Sequence, residues 1–342
     1  MFLRNALKTA SAILRLRLLG TRTPLSVILS VTNRCNFDCA YCPVRSHTMP
    51  EMSTGELLGL IDEMADAGTQ RVGLMGGEPM MRDDIGEVIA RCKRRGMFVT
   101  MGTNGSMLTE DDNLDKVRGV DALVFSIDGP SAHDRYRHEG SYQLVLDAMK
   151  LARRNGIEVW NTAVLTDLSV GDIDILLDLS EEHGFATNFS PLMHSEVCAD
   201  DRRHPSLDRE GYIRAVDRLI EEKRRGRPII NSLSYLRYIR EWPDLSETLH
   251  LGDTPKGAPR LPCYASRLFC YVECNGDVYP CNTLIGRYQP PNALATGFRT
   301  AFESLGERPC TACYSFGYTE LNLVFGLRYD AVLNALSLAR KR

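Results

Sequence analysis

From residue 26 the chain alternates short apolar runs with longer stretches whose apolar positions recur every three or four residues. The runs fall at 26–31, 71–75, 97–103, 122–127, 158–165 and 186–191. Between them lie helix-period stretches near 54–67, 84–95, 109–118, 141–155 and 171–183. Short buried strands alternating with amphipathic helices at this spacing predict parallel βαβ units. Gly68, Gly96, Gly156 and Gly184 stand where left-handed helix stops are expected. Ser53 and Glu56 make a capping box for the first of these helices, and Leu57, Leu58, Ile61, Met64 and Ala65 supply its buried stripe.

The rhythm is absent at both ends. Residues 1–23 carry Arg4, Lys8, Arg15, Arg17 and Arg22, and no acid precedes Asp38. Leu3, Ala6, Leu7, Ala10, Ile13, Leu14 and Leu18 recur at helical spacing in that stretch. A basic amphipathic helix can rest on an anionic membrane surface or cover an end of a barrel; the second reading is favoured, since the stripe serves both. Residues 192–262 are broken by His204–Pro205, Pro228, Trp242–Pro243 and a Gly/Pro-rich run at 252–262, with one clear helix near 208–225. The tail from about 320 reads as one amphipathic helix ending in Arg340, Lys341 and Arg342, whose charges suit a helix C-terminus.

Composition is that of an ordinary globular chain, with 44% hydrophobic and 25% charged residues. A net charge of −3 carries no nucleic-acid footprint. The eleven cysteines are not spaced like a secreted disulfide framework, so metal in a reducing cytoplasm is expected, with a membrane surface as the alternative location.

Cys35, Cys39 and Cys42 form a Cys-x3-Cys-x2-Cys run with Tyr41 before the third cysteine. Three thiolates on one loop can ligate three corners of a [4Fe–4S] cube and leave the fourth iron open. A zinc site is the competing reading, but zinc usually takes four ligands with Cys pairs from separate loops. At these residues the sequence resembles the radical S-adenosylmethionine (radical SAM) enzymes. The resemblance implies a partial (β/α)6 barrel of α/β class, with the cysteine loop after its first strand. Its organisation would be a helix over 1–23, the barrel over 24–195 and a helical bridge over 196–262. A small Cys-rich α+β module over 263–318 and a helix over 319–342 would follow.

The resemblance also implies cofactor contacts. Gly76-Gly77-Glu78-Pro79 would run beside the methionine part of S-adenosylmethionine, with Glu78 accepting from its amino group. Thr103-Asn104-Gly105 and Ser126-Ile127-Asp128-Gly129-Pro130 match segments near the ribose, giving Asn104, Ser126 and Asp128, although Asp128 suits an Asx-type turn equally. Arg137, ahead of Arg135, would hold the cofactor carboxylate in a two-pronged pair. Leu165 would pack on the adenine, and His133 is read as structural.

Cys263 is followed by Cys281 and by Cys310-x2-Cys313, with an Asn275–Gly276 hairpin signal between. This resembles the twitch module, the shortened relative of SPASM, and implies one auxiliary [4Fe–4S] cluster on those four cysteines. A four-cysteine zinc is the alternative. Cys270 or Cys274 could replace Cys263, or donate a hydrogen atom in an epimerase, though buried packing is the plainer reading for both, as for Cys92, while Cys198 in the bridge is read as inert. The expected function is reductive cleavage of S-adenosylmethionine and hydrogen abstraction from a small molecule. A sugar or aminocyclitol dehydrogenase or epimerase fits, fed by a flavodoxin- or ferredoxin-type one-electron reductant. A lipid-directed enzyme with peripheral membrane contact, a peptide maturase and a pure electron carrier are the alternatives. Only 34 residues precede Cys35, which lowers the peptide reading. No motif names the general base.

Overall fold

The computed structural model describes residues 2–42, 44, 49–109, 111–193, 207–254 and 257–340. Cys198, His204–Pro205, Lys341, Arg342 and the expected boundary at 195/196 lie outside them.

Helix α1 (Phe2–Leu19) precedes six βα units: β1 (Ser26–Ser30), α2 (Thr54–Asp66), β2 (Arg71–Met75), α3 (Ile85–Arg94), β3 (Phe98–Gly102) and α4 (Asp111–Val117). These continue through β4 (Ala122–Phe125), α5 (His133–Tyr136), α6 (Ser141–Arg154), β5 (Val159–Leu165), α7 (Ile173–His183) and β6 (Ala186–Pro191). All six strands run parallel, each beside its sequence neighbour. Ser53 and Glu56 form the expected capping box, and Gly68, Gly96, Gly156 and Gly184 adopt positive φ. Alternate residues such as Val27, Leu29, Val72, Leu74, Val99 and Met101 pack against the helices in one continuous core. The burial of β5 alternates strictly, so Trp160, Thr162 and Val164 turn their half-buried side chains to the opposite, concave face.

Next come α8 (Arg209–Arg224), α9 (Leu233–Arg240), β7 (Leu249–Leu251), β8 (Phe269–Val272) and β9 (Val278–Tyr279). Helices α10 (Ala293–Thr296) and α11 (Phe298–Glu303), strand β10 (Cys310–Cys313) and helices α12 (Phe316–Phe325) and α13 (Tyr329–Arg340) complete the order. Asn275–Gly276 turns the β8–β9 hairpin, with Gly276 at φ 90°. The hairpin does not stand apart. Strand β8 pairs parallel with β1, giving an eight-stranded sheet in the order β6-β5-β4-β3-β2-β1-β8-β9. The tail is two helices rather than one, because Leu327 takes a left-handed φ of 61° just after Gly326. Helix α1 lies at the N-terminal ends of the strands. Its Ala12 and Ile13 pack with Leu25, Leu268 and Phe269, and Thr9 donates to Gln70 just ahead of β2.

Gly276→Val would force a β-branched residue to positive φ and set its Cβ 2.8 Å from Leu294 Cγ. A loss of about 1–3 kcal/mol in unfolding free energy is expected by chemical denaturation.

Candidate active site

Parallel strands collect chemistry at their C-terminal ends. The loop carrying Cys35, Cys39 and Cys42 leaves β1 at that end and is locked there by the loop after β2. Gly77 N donates to Thr32 O at 2.7 Å and Glu78 N to Arg34 O at 2.8 Å. The contact is so close that a Cβ on Gly76 would stand 2.3 Å from Thr32 O, and one on Gly77 2.1 Å from Arg34 O. No side chain fits there, so the paired glycines are what allows the two backbones to touch. Glu51 fastens the other side, accepting from Thr32 Oγ1 at 2.7 Å and Asn33 N at 2.8 Å.

Glu78 is 1% exposed. Its carboxylate accepts from Thr103 Oγ1 at 2.9 Å, Asn104 N at 2.6 Å and Met80 N at 3.1 Å. It thereby ties the 103–105 turn after β3 to the glycine loop, and three protein donors occupy the oxygens expected to meet a cofactor amino group. Burial pushes this carboxyl up to about 7 even against those donors. Pro79 is buried at the start of a single 3-10 turn. Asn104 reaches back to Asn36 Oδ1 at 2.8 Å and lies 4.0 Å from Cys35 Sγ.

Asp128, fully buried after β4, is the second fastening point. Arg137 grips it with two bonds of 2.7 and 2.8 Å, Tyr41 Oη donates at 2.7 Å, and Val164 N donates at 2.8 Å. Burial alone would raise the Asp128 carboxyl, but the Arg137 guanidinium outweighs it and holds the group below its ordinary range. Arg137 also stacks over the Tyr41 ring, 5.5 Å from its centroid. Arg137, expected to hold the cofactor carboxylate in a two-pronged pair, makes such a pair with Asp128 in this structure. Asn161, which no motif marked, clamps the loop holding Ser126 by bonding both the N and O of Ile127 at 2.8 and 3.0 Å. Leu165 faces the helix-side core at 1% exposure and is not brought to the concave side, unlike its neighbour Val164. His133 is buried with neither ring nitrogen hydrogen-bonded among the described residues, and burial lowers it to about 4, which keeps it neutral.

The three thiols of the loop are all raised by burial, Cys39 to about 12, so the metal-free loop carries them protonated. Metal ligation displaces those protons. Arg137 opposes the shift at Cys39 and Cys42, which makes it a cation placed beside two thiols.

The second cysteine group gathers at another place. Cys263, Cys281, Cys310 and Cys313 lie close enough for each to act electrostatically on its neighbours, and Cys313 senses the other three. A strand would turn residues three apart to opposite faces, yet β10 pairs Cys310 with Leu251 and Cys313 with Leu249. The register shift between Cys310 and Ala312 inserts Thr311 and returns both thiols to one face. Thr283 Oγ1 lies 3.0 Å from Cys281 Sγ. Cys270 is buried in the main core, while Cys274 is buried at the far end of β8, and neither acts on this group. Among the described residues no three His, Cys, Asp or Glu side chains close on one point as a single ion requires.

The description "Radical SAM superfamily" matches residues 29–179. Over 276 residues the chain is 26% identical to an AdoMet-dependent heme synthase of Nitratidesulfovibrio vulgaris, covering 78% of this chain and 75% of that one. It is also 26% identical over 290 residues to the mycofactocin maturase MftC of Mycobacterium tuberculosis, covering 81% and 70%. The fold matches the crystal structure of Streptococcus suis SuiB bound to S-adenosylmethionine at a TM-score of 0.65, with 15% identity over 86% of this chain and 69% of that one.

Two measurements check this geometry. Between about pH 4.5 and 7 the native metal-free protein holds a proton at Glu78 that the unfolded chain has released. Unfolding free energy should therefore fall as pH rises through that window, by up to roughly 3 kcal/mol, and Glu78→Gln should flatten the slope in pH-dependent denaturation. Asp128→Ala strands the Arg137 charge in a buried site. A loss of about 3–5 kcal/mol is expected in a denaturant titration.

Proposed function

We propose, for a chain that belongs to the radical SAM superfamily and is an enzyme of it, that its reaction is a two-electron oxidation of a small molecule begun by hydrogen abstraction. In this reading Cys35, Cys39 and Cys42 hold a [4Fe–4S] cluster at the barrel mouth and leave one iron for S-adenosylmethionine. The loops bearing Gly76, Gly77, Glu78, Pro79, Asn104 and Ser126 surround that position. When bound, cofactor and first cluster would supply one-electron chemistry able to abstract a hydrogen atom from an unactivated C–H bond, and a second cluster held by Cys263, Cys281, Cys310 and Cys313 would supply an acceptor for one electron.

The residues of the chain do the rest. The Asp128–Arg137–Tyr41 group fixes the cysteine loop against β4 and β5 and would thereby hold Cys35, Cys39 and Cys42 in one orientation toward a cluster. Thr162, Asn188 and Ser190 on β5 and β6 give the concave face a polar wall beside Trp160, which suits a hydroxylated substrate such as a sugar or aminocyclitol. A one-electron reductant of flavodoxin or ferredoxin type would deliver the first electron.

The observation that carries the reading is the second thiol group. Four cysteines converge away from the first loop, enough to saturate a cluster and leave no corner for substrate. Such a site suits electron transfer better than binding. A peptide substrate is the second reading, favoured by the similarity to a mycofactocin maturase along most of the chain. A substrate drawn from a bilayer fits less well, because α1 lies at the strand ends opposite the cysteine loop.

Anaerobic protein given dithionite and S-adenosylmethionine should release 5′-deoxyadenosine. Replacing Cys35, Cys39 and Cys42 together with alanine should remove about four irons and abolish that release. Replacing Cys310 and Cys313 should also remove about four irons and leave the release measurable. If the first variant still cleaves, the loop assignment fails; if the second keeps all its iron, the auxiliary site does.

A further inference from the structure

Helix α1 has three faces. One, with Ala12, Ile13 and Leu16, is committed to the interior, where it packs against the cluster that includes Cys263, Cys281 and Cys310. A second carries Lys8 and Arg15, seven residues apart and therefore on one side, neither ion-paired among the described residues. The third carries Leu14 and Leu18, one helical turn apart and 56% and 71% exposed, followed by Leu19 at 74%. A helix that only closed a barrel end would need the first face alone.

The apolar face continues onto the tail. Arg17 Nη2 donates to Phe325 O at 3.5 Å, which brings the α12–α13 turn beside the end of α1. In that turn Leu327 is 54% exposed and Tyr329 77% exposed. Leu327 also holds a φ of 61°, a conformation that a branched side chain adopts only at a cost and that glycine would adopt freely. Leu327 holds this strained conformation while leaving more than half of its surface exposed.

We propose that α1 and the α12–α13 turn form one membrane-docking surface for a bilayer carrying anionic headgroups. The leucines and Tyr329 would enter the interfacial region while Lys8 and Arg15 meet the headgroups. The charge selects this occupant over a second copy of the chain. With no acid before Asp38, two such helices facing each other would bring like charges together. Docked in this way, the protein holds its first cysteine loop on the side away from the lipid, since α1 sits at the opposite strand ends. The proposal stands independently of the reaction.

The test is flotation of the full chain through a density gradient at low ionic strength. Phosphatidylcholine vesicles are compared with vesicles that also contain phosphatidylglycerol. The protein should float with the anionic vesicles about tenfold more than with the neutral ones, and added salt should weaken binding. Leu14→Gln with Leu18→Gln, and separately Lys8→Glu with Arg15→Glu, should each abolish most of the flotation. Leu327→Gly relieves strain, so it should raise the melting temperature while lowering flotation, which separates docking from misfolding. Three results would overturn the proposal: wild-type protein left at the bottom with anionic vesicles, variants floating like wild type, or a lipid-free dimer that the leucine variants dissociate. Release of 5′-deoxyadenosine is read in parallel, so a failure of the reaction and a failure of docking are told apart.

Discussion

The first cysteine loop has no regular structure of its own to hold it, and what holds it is a contact between two backbones. Residues 76 and 77 lie so close to residues 32–34 that only hydrogen fits where their side chains would be. From that contact the rest of the site follows in order. Glu78 is carried into the interior, its carboxylate captures the turn after β3, and that turn leans Asn104 toward Cys35. Asp128 then secures the other end of the loop through Tyr41. The three thiols are thus referred to the ends of three neighbouring strands, although only one strand carries them in sequence.

Much of the barrel was readable because its information is local. Strand and helix periods, the Ser53–Glu56 cap and the helix-ending glycines each lie within a few residues of what they determine, and the observed elements match within a residue or two. The loop chemistry was readable for the same reason, since both cysteine groups are short-range patterns. Partnerships across the chain were not. Glu51, Asn161 and Asp172 are isolated polar residues in sequence and acquire meaning only when Thr32, Ile127 and Ser131 arrive beside them. The reading of Glu78 and Arg137 as cofactor contacts rests on motif resemblance, which does not reveal the protein partners, Thr103, Asn104 and Asp128, that these groups also hold.

Three further differences have plain causes. The pairing of β8 with β1 joins segments more than two hundred residues apart, and parallel pairing leaves no turn signal to announce it. The single helix expected for the tail breaks at Gly326–Leu327, where apolar spacing runs on unchanged while the backbone reverses its handedness. The short α9 was missed because eight residues carry too little periodicity to stand out. Cys310 and Cys313 show a subtler case. Their spacing predicts that they act together, but it is the extra residue at Thr311 that allows a strand to present both on the same side.

The union of β8 with β1 has a mechanical consequence. The strand that leads to Cys281, β9, and the strand that leads to Cys35, β1, belong to one sheet and are joined through β8. The strand that delivers Cys281 is therefore anchored, through β8, to the strand that delivers Cys35, so a displacement of β1 is felt at both ends of the sheet edge.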